Sequence, residues 1–208
     1  MNSNFLIYFT CLFLLVMSPN MEQKAVSSDG QEHIASEIIR LHVIANSDTK
    51  EDQDLKILVK NEIVSYLREK MDGTQSIEEA REIIQNNLPE IEEIAANKMA
   101  IEGYSYDAKA SLTYCDFPIK QYGDLTFPAG RYEALRVQLG TSEGKNWWCV
   151  MYPSLCYVDE TRQEITEENK EQFKKILTKE EYESLLSSDT NKVFYKSKLK
   201  ELFDKVID

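Results

Sequence analysis

Residues 38–45, Ile-Ile-Arg-Leu-His-Val-Ile-Ala, set the tightest limit on what this chain can fold into. Ile39, Leu41, Val43 and Ala45 fall on one side of a two-residue period and Arg40 and His42 on the other, which describes a strand with one buried and one mixed face. Such a strand must lie in a sheet whose apolar side is covered. Asn46-Ser-Asp-Thr49 ends it, and Asp48 with Glu51 has the spacing of a capping box for a following helix. Leu55, Leu58, Val59, Ile63, Tyr66 and Leu67 mark that helix up to Asp72-Gly73. Ser76 with Glu79 caps a second stretch bearing Ile77, Ala80, Ile83, Ile84 and Leu88. Pro89 then kinks it or starts a new helix that runs toward Gly103.

Alternation returns in Tyr104, Tyr106, Ala108, Ala110, Leu112 and Tyr114, and again from Arg131 to Leu139 with Leu135, Val137 and Leu139 inward. The residues between, including Phe117-Pro118, Tyr122-Gly123 and Phe127–Gly130, have the composition of a loop and turn. Gly140–Gly144 is a hairpin loop leading into Asn146–Tyr152. The order β-α-α-β-β-β predicts an α+β domain over 37–159, a largely antiparallel sheet of about four strands with helices on one face. Residues 28–36 read as a linker, and 160–208 as a helical C-terminal extension packed on the domain. Within the extension Thr178 and Glu181 form a cap, and Leu199, Leu202, Phe203, Val206 and Ile207 form an apolar stripe. That last segment is locally basic, so its amphipathic face suits docking on its own domain first and a membrane surface second.

The 208 residues carry a net charge of −12, which argues against a nucleic-acid partner, since such binding needs clustered Lys and Arg on phosphates. Phe5–Met17 is an uncharged apolar run, as long as a signal-peptide core and, at about 20 Å as a helix, short of the ~30 Å membrane interior. Ala25-Val26-Ser27 offers small residues for cleavage. Residues 1–27 are accordingly expected to be a signal peptide or an N-terminal membrane anchor, with transient membrane contact through this leader only.

No GxGxxG, P-loop, HExxH, CxxC or GxSxG occurs, so nucleotide, zincin and α/β-hydrolase chemistry lose their usual support. No catalytic residue, cofactor or metal ligand set is expected. A secreted hydrolase using Cys149 with His42 and Asn46 is the enzymatic alternative, and a wall- or lipid-binding module is the other. Cys149 and Cys156, seven apart, come opposite each other only if the chain reverses at Tyr152-Pro153. A disulfide between them and burial of all the cysteines as small hydrophobes both fit. Trp147 and Trp148 must point to opposite faces of their strand: one enters the core, while the other is covered by the C-terminal segment, faces solvent or meets a partner. With Arg40, His42, Asn46 and Asp48 they form the candidate partner-binding set; for Arg40 and His42 a solvated face with ion pairs is the plainer reading.

Three blocks, Arg40–Asp48 with Glu51-Asp-Gln53, Phe127–Val137, and Gly144–Asp159, resemble in order the stage II sporulation protein R family of endospore-forming bacteria. Lys50 and Ser154 stand where that family's pattern has Pro, and the leader lacks its basic start. The resemblance implies a signalling protein with no catalytic residues. It would be secreted from the forespore into the space between forespore and mother cell. There it would activate a membrane-embedded aspartic protease that processes pro-sigma-E to sigma-E.

Overall fold

The computed structural model describes residues 28–156 and 165–186. The expected leader and the apolar stripe near the C-terminus lie outside them. The described elements run α1 (Ser28–Ser36), β1 (Ile39–Ile44), α2 (Lys50–Lys70), α3 (Ile77–Asn86), α4 (Leu88–Ile101), β2 (Ala108–Phe117), β3 (Lys120–Tyr122), β4 (Leu125–Phe127), β5 (Gly130–Leu139), β6 (Asn146–Tyr152), α5 (Glu167–Ile176) and α6 (Lys179–Leu185). The fold is α+β, as expected, and the main sheet with the helices between its strands runs β-α-α-α-β-β-β, the third helix being the one that begins at Pro89.

Four strands form one sheet in the order β2-β5-β1-β6. β1 pairs parallel with β5 and antiparallel with β6, and β2 pairs antiparallel with β5. The sheet is therefore mixed, with antiparallel pairs in the majority. Because side chains alternate, Ile39, Leu41 and Val43 point to one face, joined by Leu135, Val137 and Leu139, and meet Leu55, Val59, Ile63, Ile84, Ile91 and Ala95 from α2, α3 and α4. Each buried Val, Leu or Ile among them contributes about 1.5–3 kcal/mol over an exposed one. Thr49, not Asp48, caps α2, its side chain accepting from the Asp52 N–H. Asp48 is held elsewhere, by the Lys145 amide at 2.7 Å. Pro89 sits in the first turn of α4, where its missing N–H costs nothing, so it starts a new helix.

The opposite sheet face has its own core. Ile34 and Ile38, Phe117, Phe127, Tyr132, Val150, Phe173, Leu177 and Leu185 cluster there. Residues 28–36 are thus helical, correcting the linker expectation. Ile34 is fully buried, and Gln31 packs so closely on Gly130 that a Cβ there would lie 2.0 Å from its Nε2. The stretch read as loop contains a small hairpin, β3 paired with β4, whose Tyr122 and Phe127 close over the same face. α5 and α6 complete the cover. His33 of α1 bonds Glu181 of α6 at 2.9 Å, and Lys170 of α5 pairs with Asp124 of the β3–β4 turn at 2.9 Å.

Candidate functional site

The expected contact residues separate into three environments. Arg40 is fully buried, which corrects its assignment to a contact surface. Its guanidinium lies 4.2 Å from the Phe117 ring centre, 4.9 Å from Tyr132, 5.7 Å from Phe127 and 6.0 Å from Tyr122. Nη2 donates to the Tyr122 hydroxyl at 2.8 Å, which donates on to the Trp148 carbonyl at 3.1 Å. A buried cation is costly unless its charge is answered; here the faces of aromatic rings answer it, a contact worth about 0.5–1 kcal/mol when exposed and about 2 when desolvated. Arg40 thus joins β1, β3, β4 and β6 into one core. The sequence showed a polar residue within a strand but not the hairpin that covers it.

Asn46 and Asp48 belong to a latch between the β1–α2 loop and the β5–β6 hairpin. Asn46 Oδ1 accepts from the Thr141 N–H at 3.0 Å, while Asn46 Nδ2 donates to Asp52 at 2.9 Å. Asp52, 6% exposed, also accepts from Ser47 Oγ at 2.5 Å and from the Tyr106 hydroxyl at 2.5 Å. Burial alone raises a carboxyl's pKa, but the hydrogen bonds from Ser47, Tyr106, Asn46 and Thr49 outweigh it and hold Asp52 below the usual carboxylate range. Burial and the same carboxylate push the Tyr106 hydroxyl well up. Gly144 closes the latch from the other side, because a Cβ there would sit 2.2 Å from the Ser47 carbonyl oxygen. The Asn-Ser-Asp run is therefore spent on holding two loops together.

His42, Trp148 and Asn146 form the third environment. The His42 and Trp148 rings stack with centres 3.9 Å apart, Phe117 meets Trp148 edge-on at 4.5 Å, and Asn146 Oδ1 accepts from His42 Nε2 at 2.6 Å. Burial, and secondarily the nearby Arg136 cation, lower the His42 pKa against the Asn146 bond that raises it. Trp148 is half-buried at the margin of the second core. Trp147 points the other way, against the α2 side, with the Lys60 ammonium 4.3 Å from its ring centre. The indoles thus take opposite faces, as alternation requires, and Trp148 is the one on the face the helices leave partly open.

Cys149 and Cys156 are joined by a disulfide with Cα atoms 5.2 Å apart. This corrects the cysteine-nucleophile alternative: Cys149 carries no thiolate, and it faces the opposite side of the sheet from His42. Cys115 is free and half-buried, and burial pushes its thiol up. Among the described residues, no group of three His, Cys, Asp or Glu is placed to hold a metal ion, and no helix is long and apolar enough to cross a membrane.

Register defines what the open part of the second face presents. Successive cross-strand rows read Ser111–Arg136–His42–Trp148 and Lys109–Gln138–Ile44–Asn146. α1 and the β3–β4 hairpin cover the rows below, toward Tyr132 and Arg40. Arg136, Gln138 and Trp148 are half-buried, and Lys109, Ser111 and Asn146 exposed. Arg136 and Lys109 were missed as site candidates from sequence. The signal was available for Arg136: with Leu135 and Val137 facing inward, it must share a face with Arg40 and His42 if β5 is beside β1.

Residues 35–162 match the family model described as stage II sporulation protein R. A curated protein of that name from Bacillus subtilis (strain 168) is 38% identical over 172 residues, covering 82% of this chain and 75% of the relative. No solved structure matches the chain.

Proposed function

Because the chain belongs to the stage II sporulation protein R family, we propose that it is the exported signal that switches on a membrane-embedded aspartic protease, which then processes pro-sigma-E to sigma-E in the mother cell. Its role in sporulation follows from the family; the secretion step, the protease and the sigma factor are the proposal. The observation that carries it is the reach of the match, which extends over the sheet, the latch and the disulfide hairpin alike.

Physically, the domain acts as a ligand. It shifts the protease toward its active arrangement only by binding that arrangement more tightly than the resting one. A rigid body suits such a role. The aromatic cage around Arg40, the Asp52 latch and the disulfide each fix one part of the sheet without providing a reactive group. Export is supported by the apolar run Phe5–Met17 and by the disulfide, a bond that persists in oxidising compartments.

The test is genetic and biochemical. Cells lacking the gene should accumulate unprocessed pro-sigma-E on sporulation. Restoring the full chain should restore processing, and the same chain without residues 1–27 should not. Processing that proceeds equally with the leaderless chain would overturn the export step, and normal processing without the gene would overturn the function.

A further inference from the structure

Among the described residues, six buried side-chain nitrogen or oxygen atoms have no hydrogen-bond partner. Four of them lie on the second sheet face: Arg40 Nε and Nη1, His42 Nδ1 and Arg136 Nε. The Arg40 and Arg136 nitrogens are N–H donors without an acceptor. Buried donors are nearly always satisfied in folded proteins, so a cluster on one face calls for an explanation. Arg40 lies deep beneath the β3–β4 hairpin and its rings. Arg136 is different, because its side chain is half-exposed and pairs with no carboxylate among the described residues.

The charge of this face is also unlike that of the chain. The protein has 36 acidic residues against 24 basic ones. Yet alternation in β1, β2, β5 and β6 places no carboxylate on this face within the four strands; its charged residues are Arg40, Lys109 and Arg136. Asp107 precedes β2 at the margin, and Glu92 and Glu93 of α4 lie at the β2 edge, where Glu92 accepts from the Ala110 N–H. Lys109 lies opposite Gln138, one diagonal from Arg136, so the two side chains leave the sheet about 7–8 Å apart. That equals roughly two residues of extended chain. Trp148 is two strands from Arg136 in the same row, about 10 Å along the sheet, with His42, stacked on the indole, between them.

We propose that this open sheet face, formed by Lys109, Arg136, Gln138 and Trp148, binds an extended acidic segment of a protein partner, its carboxylates two residues apart on Arg136 and Lys109 and an apolar side chain against Trp148. The occupant is chosen by charge complementarity: two cations, one of them Arg136 with an unanswered donor, on a sheet face whose strands carry no carboxylate select carboxylates. An anionic lipid surface would meet the same cations, but a membrane is broad and flat and would have to approach the acidic remainder as well. The inference rests on the signalling function in naming the partner as the protease's extracytoplasmic part; the surface chemistry does not.

The experiment has two independent arms. In the first, the full chain is titrated with a synthetic peptide of alternating Glu and Val while the indole N–H and side-chain guanidinium resonances are followed by NMR, with Gln-Val and Lys-Val peptides as controls. Shifts at Trp148 and Arg136, about tenfold weaker binding by the Gln-Val peptide, and a similar loss in Lys109→Glu would support the proposal. Lys109 is exposed, so that variant should fold normally; Arg136→Gln is the second variant, read only if its thermal melt is unchanged. Equal affinity for the Gln-Val peptide, shifts elsewhere, or undiminished affinity in Lys109→Glu would overturn it. So would binding to phosphatidylglycerol vesicles in place of the peptide. In the second arm, pro-sigma-E processing is measured in sporulating cells carrying Lys109→Glu. Failure of the wild-type chain to support processing would count against the function and leave the peptide result standing. Wild-type processing with undiminished processing by Lys109→Glu would count against this surface alone.

Discussion

Asp52→Asn should destabilise the protein by about 3 kcal/mol without changing its shape. The carboxylate accepts from Ser47, Asn46 and Tyr106, and Ser47 and Asn46 share Oδ2. The amide nitrogen takes the Oδ1 place, where the Tyr106 hydroxyl can turn to accept, and all three bonds lose the charge that assisted them, each weakening by about 1 kcal/mol. Against a total stability of about 5–15 kcal/mol this is a large fraction. With a urea slope of about 2 kcal/mol/M it moves the midpoint down by about 1.5 M. The loss should also depend on pH in a defined direction. Asp52 has its pKa depressed by folding, so its contribution is fully present above the unfolded value, about 3.9, and is lost as pH falls through the lower folded value. The gap between wild type and Asp52→Asn should therefore be constant from pH 7 to about 5 and narrow below about pH 4. Urea titrations at several pH values measure this. A midpoint shift under about 0.3 M, or a gap that does not narrow in acid, would refute the reasoning that the latch depends on a charged Asp52.

Three further outcomes follow from the same geometry. Gly144→Ala should cost about 1–3 kcal/mol by urea titration, because the added methyl meets the Ser47 carbonyl oxygen and the Ala45 Cβ, neither of which is the end of a flexible side chain. Replacing both Cys149 and Cys156 by Ala should cost about 2.5 kcal/mol from the entropy of a loop of about eight residues, and the reductant sensitivity of the wild-type melt should vanish with it. Glu133→Ala should cost about 1–3 kcal/mol, since Glu133 is buried and takes a two-pronged bond from Arg81 at 2.9–3.0 Å; a thermal melt unchanged within a degree would contradict that pairing.

The periodicity of β1 was enough to place Ile39, Leu41 and Val43 against the helices, because a two-residue alternation flips as a whole if the register slips. The Thr178–Glu181 capping box was legible for a similar reason, since it acts within a single turn of chain and is fully formed; Pro89 marked a break, but whether it kinked one helix or began another was left to the structure. Long-range partners were not. The pairing of β1 with β5 brings Arg136 beside His42 from a distant part of the chain, and nothing local in either strand announces it. The β3–β4 hairpin has strands of only three residues, too short for alternation to register, yet it is what buries Arg40. Helix α1 was obscured by its Ser, Asp, Gly and Gln content; its order comes from packing Ile34 into the second core, not from helix propensity. Asn46 and Asp48 stand out in the sequence as polar residues after an apolar strand, and their loop-holding role emerges only once the β5–β6 hairpin is beside them.

The proposal that the chain works by occupancy and not by chemistry is most directly tested in proteoliposomes containing the protease, with pro-sigma-E enclosed and the folded full chain added outside. Processing should rise with added chain, level off as the chain matches the protease in number, and fall back when the chain is washed away. Full processing from a small fraction of that amount, persisting after removal, would mean that the chain alters the protease covalently, and would contradict the account.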